Sequence, residues 1–167
     1  MAGSWKNLYV RFLKSRHPFE YSQITDQLFV AAWPVGENYT EIAGLGVRLV
    51  INMDWISPDP KLGEAPLRLL TLETRDSPLT PMPMEKLWTG VRAAAEIMAN
   101  GDKVMVYCKG GVHRSVVMAC CILIAQGFSA DDAMRLVKEK RPAARPDDGH
   151  YKRVIEDFEA AWKKQWE

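Results

Sequence analysis

Within one short stretch the chain carries Cys108-Lys109-Gly110-Gly111-Val112-His113-Arg114-Ser115, a thiol and a guanidinium separated by two adjacent glycines. The glycines let the backbone curl with its N–H groups turned inward, and an apolar run that follows, Val116 to Ala125, reads as a helix whose free N–H groups and positive dipole end face the same space. Such a cup suits a dianion. A thiol at a helix N-terminus beside a guanidinium favours its thiolate form, so Cys108 is the candidate nucleophile. Arg114 can hold two phosphate oxygens with a planar fork, which a lysine cannot do as well. Ser115 is placed to hydrogen-bond the sulfur as a thiolate is regenerated, and the backbone of Lys109, Gly110, Gly111, Val112, His113 and Arg114 is the candidate phosphate cradle.

To work, the loop has to be carried between a strand and a helix. Lys103-Val104-Met105-Val106-Tyr107 reads as a buried strand, as do Leu28 to Ala31, Val47 to Met53 and Leu67 to Leu72. Helical patterns run from about Glu37 to Gly44, Met84 to Ala99, Ser115 to Gln126, Ser129 to Lys140 and Gly149 to Trp166, with Gly101 and Gly127 as stops. Strands alternating with helices, then a helical C-terminal half, predict an α/β domain with a central, mainly parallel sheet of four to five strands flanked by helices. Ligands of such sheets gather beyond the carboxyl ends of the strands, which points to the loops after Leu72 and Tyr107.

The loop, Cys followed by five residues and then Arg-Ser, resembles the signature of the protein tyrosine phosphatase superfamily, and the chain is most similar to its small dual-specificity branch. Ile24 to Val30 resembles that branch's opening strand, and Gly46 to Asn52 its next. Arg141-Pro142 through Pro146-Asp147-Asp148-Gly149-His150 to Glu159 is similar to its closing segment. The resemblance implies a tyrosine-phosphatase-like fold and a cysteine-dependent phosphatase acting on phosphoserine, phosphothreonine and phosphotyrosine. It also implies an aspartic acid about thirty residues before the nucleophile to protonate the leaving oxygen. Asp76 stands there and also follows the strand ending at Leu72; Asp54 is the fallback, while Asp102 lies in a Gly-Asp turn at the opposite edge. Two departures stand out. Tyr107 replaces the branch's usual histidine before the nucleophile, and Asp147 its usual asparagine, with Asp147 or Asp148 expected to cap the last helix.

With 167 residues, 47% of them hydrophobic and 26% charged, the chain is long enough for one globular domain. A balance of 22 basic against 21 acidic residues gives no reason to expect nucleic acid as a partner. Cys120 and Cys121 with Cys108 form no disulfide framework, and the pair is expected in the core, about 18 Å along the helix from the reactive thiol. His17, His113 and His150 lack ligand spacing, so no metal or other cofactor is expected. No apolar stretch matches a membrane span or a secretory signal, which suggests a cytoplasmic protein, expected to be a monomer.

The first twenty residues form a separate basic amphipathic segment, 1–20, ahead of a catalytic domain over 21–167. Within 5–16, Trp5, Leu8, Tyr9, Phe12 and Leu13 fall at helical spacing opposite Lys6, Arg11, Lys14 and Arg16, a pattern that can pack on the domain or lie on anionic lipid. The lipid alternative is a phospholipid phosphatase acting on phosphoinositide or phosphatidylglycerophosphate. Pro18-Phe19-Glu20-Tyr21 and Lys109 bear a loose likeness to the mitochondrial phosphatidylglycerophosphate phosphatases. Val112 weighs against it, because lipid-cleaving members commonly carry a basic residue there. A second alternative is a non-catalytic module that binds phosphate in the same cup, but Cys108, Arg114 and Asp76 are all retained.

Overall fold

The computed structural model describes residues 19–167 together with Leu8 and Phe12, both in helical conformation and exposed. The remaining residues of the amphipathic segment lie outside the described set. Five strands form one sheet: β1 (Tyr21–Thr25), β2 (Leu28–Ala32), β3 (Val47–Asn52), β4 (Arg68–Thr71) and β5 (Lys103–Cys108), ordered β1-β2-β5-β3-β4. β2, β5, β3 and β4 run parallel, and β1 pairs antiparallel with β2 at the edge. The expected mainly parallel sheet is therefore present. The single opening strand expected over Ile24 to Val30 is instead a hairpin. Asp26 and Gln27 turn the chain, the Gln27 N–H donating to Thr25 Oγ1, and the Gln27 side chain donating to the carbonyls of Met98 and Asp102.

Within the described residues 19–167 five α-helices occur: α1 (Tyr39–Gly44), preceded by a 3-10 turn at Gly36–Asn38, then α2 (Met84–Ala99), α3 (Arg114–Ala125), α4 (Ala130–Lys140) and α5 (Gly149–Lys164). Ser129 caps α4 by accepting from the Asp132 N–H. Gly101 and Gly127, at φ +81° and +103°, end α2 and α3 as their glycine spacing predicts. α3 is apolar all round and buried from Arg114 to Ile124, so it is the central helix of its layer. α2 and α5 meet beside it through Trp88, Phe158 and Trp162, whose rings lie 5.0 to 5.8 Å apart. Among the described residues no helix is long and apolar enough to cross a membrane.

Period-two alternation sorts the sheet between two cores. Leu28, Val30, Leu49, Ile51, Val104, Val106 and Cys108 face α2 to α5, while Phe29, Ala31, Val50, Met105 and Tyr107 face the other side. This parity aims the Cys108 thiol at the start of α3 and sends the Tyr107 ring the opposite way. The parallel register, with Ala32 opposite Cys108 and Asn52 opposite both Tyr107 and Thr71, brings the ends of four strands to one edge. The loops holding Trp33, Asp54, Asp76 and Cys108 all open there.

Candidate active site

The peptide planes from Lys109 to His113 are oriented one by one from outside the loop. The Lys109 carbonyl accepts from the Trp33 N–H at 3.3 Å, Gly110 from Arg141 Nη2 at 3.2 Å, Gly111 from Arg141 Nε at 2.6 Å and Val112 from the Arg145 N–H at 3.0 Å. His113 accepts from Val117 in the first turn of α3. Because the N–H of each peptide opposes its C=O, these bonds turn the intervening N–H groups inward. None of the N–H groups from Lys109 to His113 donates to a protein acceptor among the described residues. Gly111 sits at φ +63°, and a Cβ there would come within 2.7 Å of Arg141 Nη2 and 2.8 Å of the Ala31 carbonyl. The position admits only glycine.

Sequence reasoning saw Arg141 only as the start of a closing segment. In the fold it is buried, bonds two loop carbonyls and is itself held by Ser22 Oγ and Glu20. An arginine acting thirty residues away in sequence leaves no local signature; the Arg141-Pro142 pair after a helix was the available hint.

Cys108 Sγ lies at the base of the cup, 3.2 Å from Ser115 Oγ. Arg114 is also buried. Its Nη2 pairs with Asp54 Oδ2 at 3.0 Å and its Nη1 donates to the Thr74 carbonyl at 2.9 Å. Nε is buried with no protein acceptor and is free to donate to a bound oxyanion. Asp54 is thus the counterion of Arg114 and corrects its reading as a fallback proton donor: it is 1% exposed, and its other oxygen accepts from the Ile56 N–H. A carboxylate so enclosed and so occupied has no path to a leaving group.

Asp76 follows β4, lies on the same edge and remains partly exposed. Tyr151 Oη–H donates to its Oδ1, and its Oδ2 lies 3.6 Å from His113 Nδ1. His113 Nε2 is 3.2 Å from Asp148 Oδ2. Asp148 occupies the N-cap position of α5, but its side chain makes no capping bond and goes to His113 instead. Asp147 is bound by Lys138 Nζ, which holds its carboxyl below the usual carboxylate range. Lys109 and Val112 are half-buried at the rim. Cys120 and Cys121 are fully buried in the core, where burial pushes both thiols up and removes them from reach. Among the described residues no group of three His, Cys, Asp or Glu side chains is arranged to hold a metal.

Tyr107 packs its ring edge-on to Trp33 at 6.1 Å. Its hydroxyl is buried without a protein partner, and burial followed by the nearby Asp54 charge pushes its titration well above the ordinary phenol range. Deleting an unpaired buried hydroxyl removes a desolvation cost. Tyr107→Phe is therefore expected to leave stability unchanged or raise it by up to ~1 kcal/mol, read as an equal or higher Tm.

A thiol in an anion-turned loop at the carboxyl edge of a parallel sheet, with a buried arginine beside it, defines a cysteine-dependent phosphatase site. Residues 28–160 match the family model of the dual specificity phosphatase catalytic domain, and the chain belongs to that family. Mouse dual specificity phosphatase 28 is 27% identical over 80% of this chain and 81% of its own length. Arabidopsis thaliana inositol diphosphatase DSP5 is 22% identical over 89% of this chain and 74% of its own. Among solved structures, human DUSP28 superimposes with a TM-score of 0.77 at 23% identity, covering 86% of this chain and 95% of that one. PTPMT1 gives the same TM-score and identity over 87% and 98%.

Proposed function

We propose that this chain is a dual-specificity protein phosphatase that hydrolyses phosphoserine, phosphothreonine and phosphotyrosine through a cysteinyl-phosphate. The observation that carries the chemistry is the set of five loop carbonyls fixed from outside, which leaves inward N–H groups over a thiol with an unpaired Arg114 Nε beside it. In the first step Cys108 Sγ forms a bond to phosphorus as the ester P–O bond breaks, and Asp76 gives its proton to the departing oxygen. In the second, water attacks the phosphocysteine, Asp76 takes a proton from it, and the S–P bond breaks with the electron pair returning to sulfur. Ser115 donates to that sulfur as it leaves. The loop N–H groups and Arg114 hold the equatorial oxygens in both steps. No metal or other cofactor enters the scheme.

Charge around the cup supports a protein substrate over a polyphosphorylated headgroup. His113 is neighboured by Asp76 and Asp148, so its positive charge, when present, is matched. Val112 adds no cation, which leaves Lys109 as the basic side chain of the loop rim. The lipid reading keeps two supports of its own. PTPMT1 has been solved in complex with PI(5)P, and residues 5–16 offer such a headgroup a basic amphipathic segment.

A panel decides between them: phosphate release, without added metal, from phosphotyrosyl and phosphothreonyl peptides, from phosphatidylinositol phosphates in vesicles and from phosphatidylglycerophosphate. Peptide turnover with kcat/KM at least tenfold above any lipid is the expected result. The reverse ranking replaces the protein reading by the lipid one. Tight phosphopeptide binding with no turnover of any member identifies a non-catalytic binding module.

A further inference from the structure

We propose that Tyr151 and His113 are positioning residues that clamp Asp76 over the phosphate cup, a proposal that rests on Asp76 being the proton donor. Asp76 lies in an irregular, proline-rich stretch between β4 and α2, where Leu79 is 91% exposed. The backbone of that stretch is tied at Thr74, whose N–H and Oγ1 both donate to the Met53 carbonyl, and at Glu73, whose carbonyl accepts from Lys86 Nζ. Past Thr74 its next backbone bonds are local ones, Leu79 to Ser77 Oγ and Thr80 to the Ser77 carbonyl. Neither anchors Asp76 itself. What fixes the carboxyl is its own side-chain contacts.

Those contacts come from two elements that do not belong to the stretch. Tyr151, 4% exposed in the first turn of α5, donates through its hydroxyl to Asp76 Oδ1. His113, the last residue of the phosphate loop before Arg114, stacks flat on the Tyr151 ring, centroids 4.6 Å apart and planes 10° from parallel. Its Nε2 is tied to Asp148 Oδ2 at 3.2 Å, which fixes the ring so that Nδ1 faces Asp76 Oδ2. At 3.6 Å that last approach is an electrostatic contact rather than a hydrogen bond. The Tyr151 hydroxyl takes Oδ1, so Oδ2 is the oxygen left to carry the proton and deliver it. Asp76 is thereby indexed to the loop that binds phosphate, through a histidine one residue from Arg114, and to α5.

Displacing a catalytic group by about 1 Å can cost on the order of a hundredfold in rate. The loss in the first step must appear in kcat/KM, which excludes the hydrolysis of phosphocysteine common to both substrates, and must scale with how much the leaving group needs a proton: phenoxide needs it, nitrophenolate much less. The experiment therefore compares phenyl phosphate with 4-nitrophenyl phosphate, neither of which depends on the natural substrate, in the full chain and in Tyr151→Phe, His113→Phe and Asp76→Asn. Both phenylalanine variants keep an aromatic ring in the stack, and Tm is followed in each.

The expected result is that Asp76→Asn lowers the phenyl to nitrophenyl ratio of kcat/KM by at least ~tenfold, and that Tyr151→Phe and His113→Phe each lower it by at least ~fivefold. If Asp76→Asn lowers the ratio while both phenylalanine variants keep the wild-type value, the clamp is wrong and the proton donor stands. If the phenylalanine variants slow both substrates equally or lose Tm in proportion, their role is structural and the clamp is overturned. If Asp76→Asn itself keeps the wild-type ratio, the assignment of the donor falls, and the clamp with it.

Discussion

Replacing Cys108 by serine is expected to lower phosphate release by at least about ten-thousand-fold, with folding and oxyanion binding retained. The substitution exchanges sulfur for oxygen at a buried position whose neighbour is already a hydroxyl, Ser115 Oγ at 3.2 Å, so packing hardly changes. The reactivity changes completely. A serine hydroxyl holds its proton far more tightly than a thiol, and no general base lies beside it: Asp76 is placed for the leaving group, and His113 is engaged with Asp148 and stacked on Tyr151. The cradle does not depend on the sulfur, because its carbonyls are pinned by Trp33, Arg141, Arg145 and Val117. Tungstate should therefore bind Cys108→Ser within about threefold of the parent by calorimetry while turnover vanishes. Turnover within tenfold of the parent would remove Cys108 as nucleophile, and loss of tungstate binding would mean that the thiol builds the cup rather than merely occupying it.

That separation between cup and nucleophile also explains what the sequence could and could not reveal. The reactive loop was legible because its parts are consecutive: strand, Cys108, glycines, Arg114, Ser115 and an apolar helix, each with a local physical reason. The parallel core was legible for the same reason, since β2, β3 and β5 are mostly apolar runs buried on both faces. The edge hairpin was not. β1 is YSQIT, half-exposed with only Ile24 buried, and a polar edge strand carries neither alternation nor an apolar run. Long-range partners were hidden more deeply. Arg141 grips the loop and Asp54 grips Arg114 across 60 positions of sequence, and nothing in the residues around either announces its partner. Asp76 and Asp54 both follow strands, and only the distance of Asp76 from Cys108 in sequence put it ahead of Asp54. In the fold they differ by burial and by the bond of Asp54 to Arg114. Asp148 shows the same limit from the other side, because a good helix cap by type and position has its carboxylate drawn away by His113, which comes from the phosphate loop.

The Asp54–Arg114 pair carries the second large effect. Asp54→Ala is expected to cost about 3–5 kcal/mol of stability, because it leaves a guanidinium buried with its charge uncompensated, and to lower Tm by roughly 6–20 °C for a chain of this size. The pair itself is weak evidence of net stabilisation, since desolvating both ions offsets most of their attraction. Its use is directional. Asp54 and the Thr74 carbonyl hold Nη2 and Nη1, and this fixes the plane of the fork while Nε stays without a protein partner. Without Asp54 the fork can rotate, and binding and turnover should both suffer, by at least about a hundredfold in kcat/KM. Asp54→Asn separates the two consequences. The amide oxygen can still accept from Nη2, with the amide NH2 then replacing the oxygen that accepts from the Ile56 N–H, but the compensating charge is gone. Stability measured by denaturant unfolding should fall nearly as far as in Asp54→Ala, while kcat/KM should recover at least tenfold relative to it. Equal losses of kcat/KM in the two variants would mean that Asp54 serves Arg114 by its charge alone, and full activity in Asp54→Ala would mean that the loop holds Arg114 without it.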